Sequence, residues 1–218
     1  MKKRTVIAIA LLILFSTISS QKKIQISKFN LKEIEIEKNI ILENKDLKKL
    51  LIPIYDKNLI FLRYTEIEKL LMQNSFIESF KIKKKYPQSL RIEIFEKKPI
   101  AILFYKKKKY YLSDKIDLIE FSDNRNFQDL PYIFGDHKKF KKLYINLKKI
   151  NFPLHTIKKY IFFDSGRWDL ETVNKKTIRL PSINYEKNLK EYLKIKNDKN
   201  FEKYNIFDFR LNNQLIMK

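Results

Sequence analysis

The sequence predicts an α+β fold in two parts behind an apolar leader, and three observations carry that prediction. The run KYPQSLRIEIFEKKPIA, from Lys85 to Ala101, joins a turn, an alternating strand and a proline-marked boundary. Before it stand two alternating segments and two short helical patterns; after it come many short strand patterns and two amphipathic helices. At the start, Lys2, Lys3 and Arg4 precede an apolar run from Val6 to Ile18 that only Ser16 and Thr17 interrupt. Positive charge followed by an apolar run is a membrane-targeting pattern, with the basic end kept in the cytoplasm and the rest exported.

As a helix, Thr5 to Ser20 would rise roughly 24 Å, somewhat short of the ~30 Å hydrocarbon core. Two readings stand: an uncleaved signal anchor whose flanking lysines snorkel, or a cleaved signal peptide with Thr17 and Ser19 as the small residues before the cut. With the anchor reading, the chain divides into a short cytoplasmic tail (1–4), a transmembrane signal anchor (5–20), a linker (21–28), a first domain (29–96) and a C-terminal β domain (97–218).

In the first domain, Leu31 to Glu37 reads as a strand, because Ile34 and Ile36 alternate with charges. Asn44 is placed to cap a helix carrying Leu47, Leu50 and Leu51, which Pro53 limits. Asn58 to Leu62 returns apolar side chains to the core. Thr65 and Glu68 have capping-box spacing ahead of the Ile67, Leu70 and Leu71 stripe. Phe80 to Lys84 and Leu90 to Ile94 flank Pro87 as a hairpin, and Pro99, which cannot donate to a central ladder, marks the boundary.

The second domain opens with Ile100 to Tyr105 and Tyr110 to Ser113, joined by the lysine turn Lys106 to Lys109; Ile116 to Phe121 is a further extended piece. Gly135-Asp136 starts a helix in which Phe140, Leu143, Tyr144 and Leu147 share a face, and Pro153 follows its end. Ile157 to Phe163 reads as a strand and Asp164-Ser165-Gly166 as a turn. Arg167 to Thr172 and Thr177 to Leu180 make a hairpin through Val173 to Lys176. Tyr185, Leu189, Tyr192 and Leu193 mark another helix. Ile206 to Ile216, with Phe207, Phe209 and Leu211, reads as a closing strand.

Composition limits the function classes. The 218 residues are 44% hydrophobic and 14% aromatic, enough for real cores, and the absence of cysteine removes disulfides and lipid-modified thiols. A net charge of +22 invites a nucleic-acid reading. That charge is mostly lysine and runs through the whole chain, so it reads as solvated surface with some attraction to an anionic membrane, and no nucleic-acid partner is expected. His137 and His155 lack metal-ligand spacing, and Ser165 sits in a turn. Gly135 and Gly166 are the only glycines, too few for a phosphate loop. Carboxylates stand beside lysines as solvated pairs, and Trp168 reads as an anchor in or at the rim of the core. No catalytic, cofactor-binding or metal residue is expected, nor a small-molecule substrate: the chain reads as a binding protein.

The order Pro87, Leu90, Glu96, Pro99 and Ala101 resembles the end of the POTRA domain in the FtsQ/DivIB family of bacterial division proteins. Tyr111-Leu112-Ser113-Asp114, Leu130-Pro131 with Gly135, Arg167-Trp168-Asp169-Leu170 and Phe207-Asp208-Phe209-Arg210 extend the resemblance across the exported region. The tail before Thr5 is shorter than usual, and Lys115-Ile116-Asp117 lacks the glycine common there. The resemblance implies a transmembrane helix, a POTRA domain of order β-α-α-β-β and a mainly antiparallel β-sheet domain with flanking helices. It also implies a scaffold of the divisome: single-pass in the inner membrane, mostly periplasmic, enriched at the septum, and helping to control septal peptidoglycan synthesis. Its implied partners are FtsB- and FtsL-like membrane division proteins, bound by β-augmentation at an open C-terminal sheet edge. By position in the family pattern, Arg167, Arg210, Leu211, Asn212 and Asn213 would contact the partner, with Arg167 able to take a carboxylate bidentately. Leu211 stands where the family often has a larger aromatic; its other reading is an ordinary strand residue facing the core. Two further classes remain open: another exported POTRA-containing peptide-binding or transport accessory, and a basic nucleic-acid or lipid-surface binder.

Overall fold

A computed structural model describes residues 2–16, 26–211 and 214–218. They form two compact units, Met1–Glu96 and Lys97–Lys218. The apolar run forms helix α1 (Lys2–Ser16). Among the described residues no helix is long and apolar enough to cross a membrane. Residues 17–20 of the expected anchor, and most of the expected linker, lie outside the described residues.

The first unit continues with β1 (Glu33–Glu37), α2 (Asn44–Leu50), α3 (Tyr64–Leu71), β2 (Ile77–Lys85) and β3 (Ser89–Glu96). The sheet runs β1-β3-β2, with β3 parallel to β1 and antiparallel to β2. Alternation buries Ile34, Phe80, Leu90, Ile92 and Ile94 on one face, against Leu47 and Leu51 at α2 and Ile67 and Leu71 of α3. Each fully buried Leu or Ile contributes about 1.5–3 kcal/mol relative to exposure.

Both expected helix starts shift by one or two residues. The N-cap of α2 is Glu43, not Asn44. For α3 the cap is Arg63, and Glu66, rather than Glu68, reaches back to accept from the Arg63 backbone N–H at 3.3 Å. Thr65 is therefore already inside the helix. Glu96, at the end of β3, accepts from three successive backbone N–H groups, those of Ile40, Ile41 and Leu42, at 2.8–2.9 Å. That one carboxylate fixes the chain between β1 and α2 against the sheet.

The second unit contains β4 (Pro99–Tyr105), β5 (Lys108–Ser113), β6 (Leu118–Glu120), β7 (Tyr132–Phe134), α4 (His137–Lys149), β8 (Ile157–Phe162), β9 (Trp168–Thr172), β10 (Thr177–Arg179), α5 (Tyr185–Ile195), β11 (Ile206–Asp208) and β12 (Ile216–Met217). One sheet runs β12-β11-β10-β9-β8-β7-β4-β5-β6. It is mainly antiparallel, with parallel pairs at β4–β7, β7–β8 and β10–β11. Pro99 enters at the first strand position, beside a register shift before Ala101.

Phe140, Leu143, Tyr144 and Leu147 of α4 and Tyr185, Leu189 and Tyr192 of α5 are buried in one core with Leu103, Ile133, Tyr160, Leu170, Ile178 and Phe207. Trp168 lies in that core, its ring 4.9 Å from Phe162 and 6.0 Å from Phe140. The N-cap Asp136 accepts from the Lys138 and Lys139 backbone N–H groups at 2.6 and 3.4 Å. The preceding Gly135 has φ +142, and a Cβ there would lie 2.5 Å from Phe162 Cβ. Only glycine fits.

Candidate partner-binding edge

The expected closing strand from Ile206 to Ile216 is instead two short strands joined by a connection. Asp208 causes the break. Its carboxylate accepts from the Arg210 backbone N–H at 3.1 Å, a local turn that competes with the ladder. The Arg210 guanidinium closes on the same carboxylate, Nε donating at 2.8 and 3.0 Å and Nη2 donating as well. Strand β11 therefore stops at Asp208, and the chain returns as β12 along its outer side.

That return covers β11 and moves the sheet margin to β12. Ile206 and Lys218 exchange both backbone hydrogen bonds, at 2.9 and 3.1 Å, and Asp208 stands opposite Ile216. By antiparallel alternation, residues 216 and 218 turn their backbone groups toward β11, so Met217 turns its N–H and C=O outward. Among the described residues no strand lies beyond β12.

On the face opposite the helices, one transverse row crosses this end of the sheet: Ile161, Asp169, Arg179, Asp208 and Ile216, on β8 to β12. Arg179 lies between the two carboxylates, 3.8 Å from Asp169 Oδ2 and 3.6 Å from Asp208 Oδ2. Arg167, just before β9, lies over the Phe163 ring at 3.9 Å, with its Nε 3.5 Å from Asp169 Oδ1. At that distance the contact is an ion pair rather than a formed hydrogen bond, and both atoms are buried without a hydrogen-bond partner among the described residues. Burial pushes the Asp169 carboxyl above its ordinary value, outweighing Arg167 and Arg179. Asp208 moves the other way: hydrogen bonding from Arg210 holds its carboxyl below the ordinary value.

Arg167 and Arg210 thus sit at the two ends of one charged system. Leu211 lies in the connection, 53% exposed, so it is neither a strand residue nor a core residue. Asn212 and Asn213 lie outside the described residues. Beside the margin, an open groove of about 910 Å³ runs between α5 and the β11–β12 connection, with Ile183, Leu211 and Leu215 supplying apolar lining. Asp169, Arg179 and Met217 were not anticipated. The alternation of β9 and β10 marks Asp169 and Arg179 as facing away from the core, but only the strand order brings them together. Among the described residues no cluster of His, Cys, Asp or Glu could hold a metal ion.

A small sheet of order β1-β3-β2 under two helices, followed by a large mixed sheet with a short free margin, defines a two-domain module whose first part is a POTRA domain; residues 29–97 match the family model described as POTRA domain, FtsQ-type. Over 170 residues the chain is 24% identical to the Cell division protein FtsQ of Rickettsia felis, covering 74% of this chain and 61% of that one. It is 23% identical over 201 residues to the FtsQ of Rickettsia conorii, covering 87% and 72%, and 25% identical over 194 residues to that of Rickettsia typhi, covering 87% and 73%. Residues 29–97 are thus a POTRA domain of the FtsQ type, and most of the chain is similar to proteins named Cell division protein FtsQ. Its match spans about three fifths of the length of the Rickettsia felis and Rickettsia bellii relatives.

Proposed function

We propose that this chain is a membrane-tethered, non-catalytic scaffold of bacterial cell division that captures an extended segment of an FtsB- or FtsL-like partner at the outer side of β12. The outward backbone groups of Met217 carry this reading: a partner strand pairs there, and main-chain hydrogen bonds give affinity. Selectivity comes from the flanks. Arg167, lying 3.9 Å over the Phe163 ring, presents its guanidinium to a partner carboxylate, and Leu211 with Ile183 offers apolar contact beside the strand. Arg210 acts differently from Arg167, since Asp208 already engages it, so it orients the start of the connection at Leu211. Anchoring in the inner membrane, enrichment at the septum and an influence on septal peptidoglycan synthesis follow from the same reading. The relatives' name, Cell division protein FtsQ, supports it.

Co-purification from membranes tests it. The full chain should recover small coiled-coil membrane proteins of the FtsB and FtsL kind, and Met217→Pro, which removes the outward N–H, should lose them while circular dichroism stays unchanged. Undiminished recovery by Met217→Pro would reject the edge. Absence of midcell enrichment of a fluorescent fusion would favour another exported POTRA-containing accessory.

A further inference from the structure

The helix-free face of the first sheet sorts its charge into columns. Glu33, Glu35 and Glu37 stand on β1 at one margin, and Lys81, Lys83 and Lys85 on β2 at the other. The strand registers align them as three rows: Glu33–Ser89–Lys85, Glu35–Arg91–Lys83 and Glu37–Glu93–Lys81. Among the described residues no strand lies beyond β1 or β2, so each keeps outward backbone N–H and C=O groups.

Each margin repels its own kind. Two β2 strands side by side would set lysine against lysine, and two β1 strands glutamate against glutamate. The mixed pairing has no such conflict. Because β1 is parallel and β2 antiparallel to β3, β1 and β2 run in opposite directions. A second copy, carried across in the same orientation, therefore lays its β1 antiparallel beside β2 of the first, with both pairs of helices on the same side. The register that sets Glu33 opposite Lys85 also sets Glu35 opposite Lys83 and Glu37 opposite Lys81. Within one copy, Lys85 and Arg91 reach Glu35, and Arg91 also reaches Glu37. Lys83 makes no ion pair among the described residues, and Lys81 stands 5.5 Å from the Phe95 ring centre, so the β2 margin keeps a positive surplus.

We infer that β1 and β2 form a head-to-tail junction between copies of this chain, extending the three-stranded sheet from one copy to the next. A heterologous contact of this kind does not close on itself, so it yields a growing row rather than a dimer. Its ion pairs are exposed, which makes it weak in dilute solution and sensitive to salt.

The chain has no cysteine, so introduced thiols report alone. Within one copy Glu37 and Lys81 are separated by β3, about 10 Å apart and beyond the ~4.4–6.8 Å Cα span of a disulfide. Across the junction they are neighbours. In the full chain at high density in membranes, Glu37→Cys combined with Lys81→Cys should oxidise to a ladder of dimers, trimers and larger species. Each single variant should stay monomeric, and a mixture of the two singles should stop at the dimer. Adding Lys83→Glu should cut the ladder at least fivefold, and adding Glu35→Lys to that variant should restore it. Glu33→Cys with Lys85→Cys reads the other end of the junction, should the first pair disturb folding. The inference is overturned if both double variants stay monomeric, if single variants cross-link as strongly as the mixture, or if Lys83→Glu leaves the ladder intact.

Discussion

Between residues 29 and 96, thirteen basic residues stand against eleven acidic ones, whereas between 97 and 218 twenty-eight stand against fourteen. In the first unit's sheet the charges of neighbouring strands are set across one another, with opposite signs at the two margins. In the second, six exposed lysines line α4 and Lys106 and Lys107 join β4 to β5, while the β12 end of the sheet carries one short alternating row of Asp169, Arg179 and Asp208. Net charge therefore does not locate a site. What matters is how charge is arranged beside unpaired backbone, and the more basic unit has the less charged margin, a two-residue strand of Ile216 and Met217.

The largest expected effect probes the second unit's core. Gly135→Ala forces a side chain into the Phe162 Cβ at a positive φ. It should cost about 3 kcal/mol in urea unfolding followed by the fluorescence of Trp168, the only tryptophan. Next, Glu96→Ala strands three backbone N–H groups in the first unit. A loss of about 2 kcal/mol should appear in the hydrogen exchange of Leu90 and Ile92. The Trp168 transition should not move; if it does, the two units do not unfold independently.

Asp208→Asn weakens the clamp on Arg210 and should cost about 1 kcal/mol at neutral pH by the same fluorescence assay. Because Arg210 holds the Asp208 carboxyl below its ordinary value, this contribution is complete above a pH of about 4 and is lost as pH falls through the lower folded value. The difference between wild type and variant should therefore shrink in acid. Asp169, raised by burial, has the opposite dependence, but it is present in both chains and largely cancels in the difference. Smallest of all, Leu211→Ala should change stability by less than about 0.5 kcal/mol, because the side chain is 53% exposed, while reducing partner recovery. A stability loss above 1 kcal/mol would return Leu211 to a packing role.

Much of the fold was legible where one periodicity ran without competition. The α4 stripe, with Asp136 as its cap, and the β3 alternation of Leu90, Ile92 and Ile94 appear where the residues place them. Strand β7 was not legible: three residues after Pro131 are too few to show a period, and Ile133 is buried because parallel strands flank it on both sides. The closing strand misled for a chemical reason. Phe207, Phe209 and Leu211 keep a strand's parity, but the Asp208 carboxylate takes the Arg210 backbone N–H and turns the chain. At the candidate site, family pattern pointed to Arg167 and Arg210. Met217 was invisible in sequence, since its outward backbone depends on the Ile206–Lys218 register and not on its side chain.

Completion of the sheet at β12 by a partner strand is read at a single position, the Met217 amide. In the free chain this amide should exchange freely while that of Lys218, bonded to Ile206, is protected. On forming the complex, the Met217 amide should slow at least a hundredfold. If the partner binds with Met217 exchange unchanged, and protection falls on α5 or the first unit instead, the β12 margin is not where this protein meets its partner.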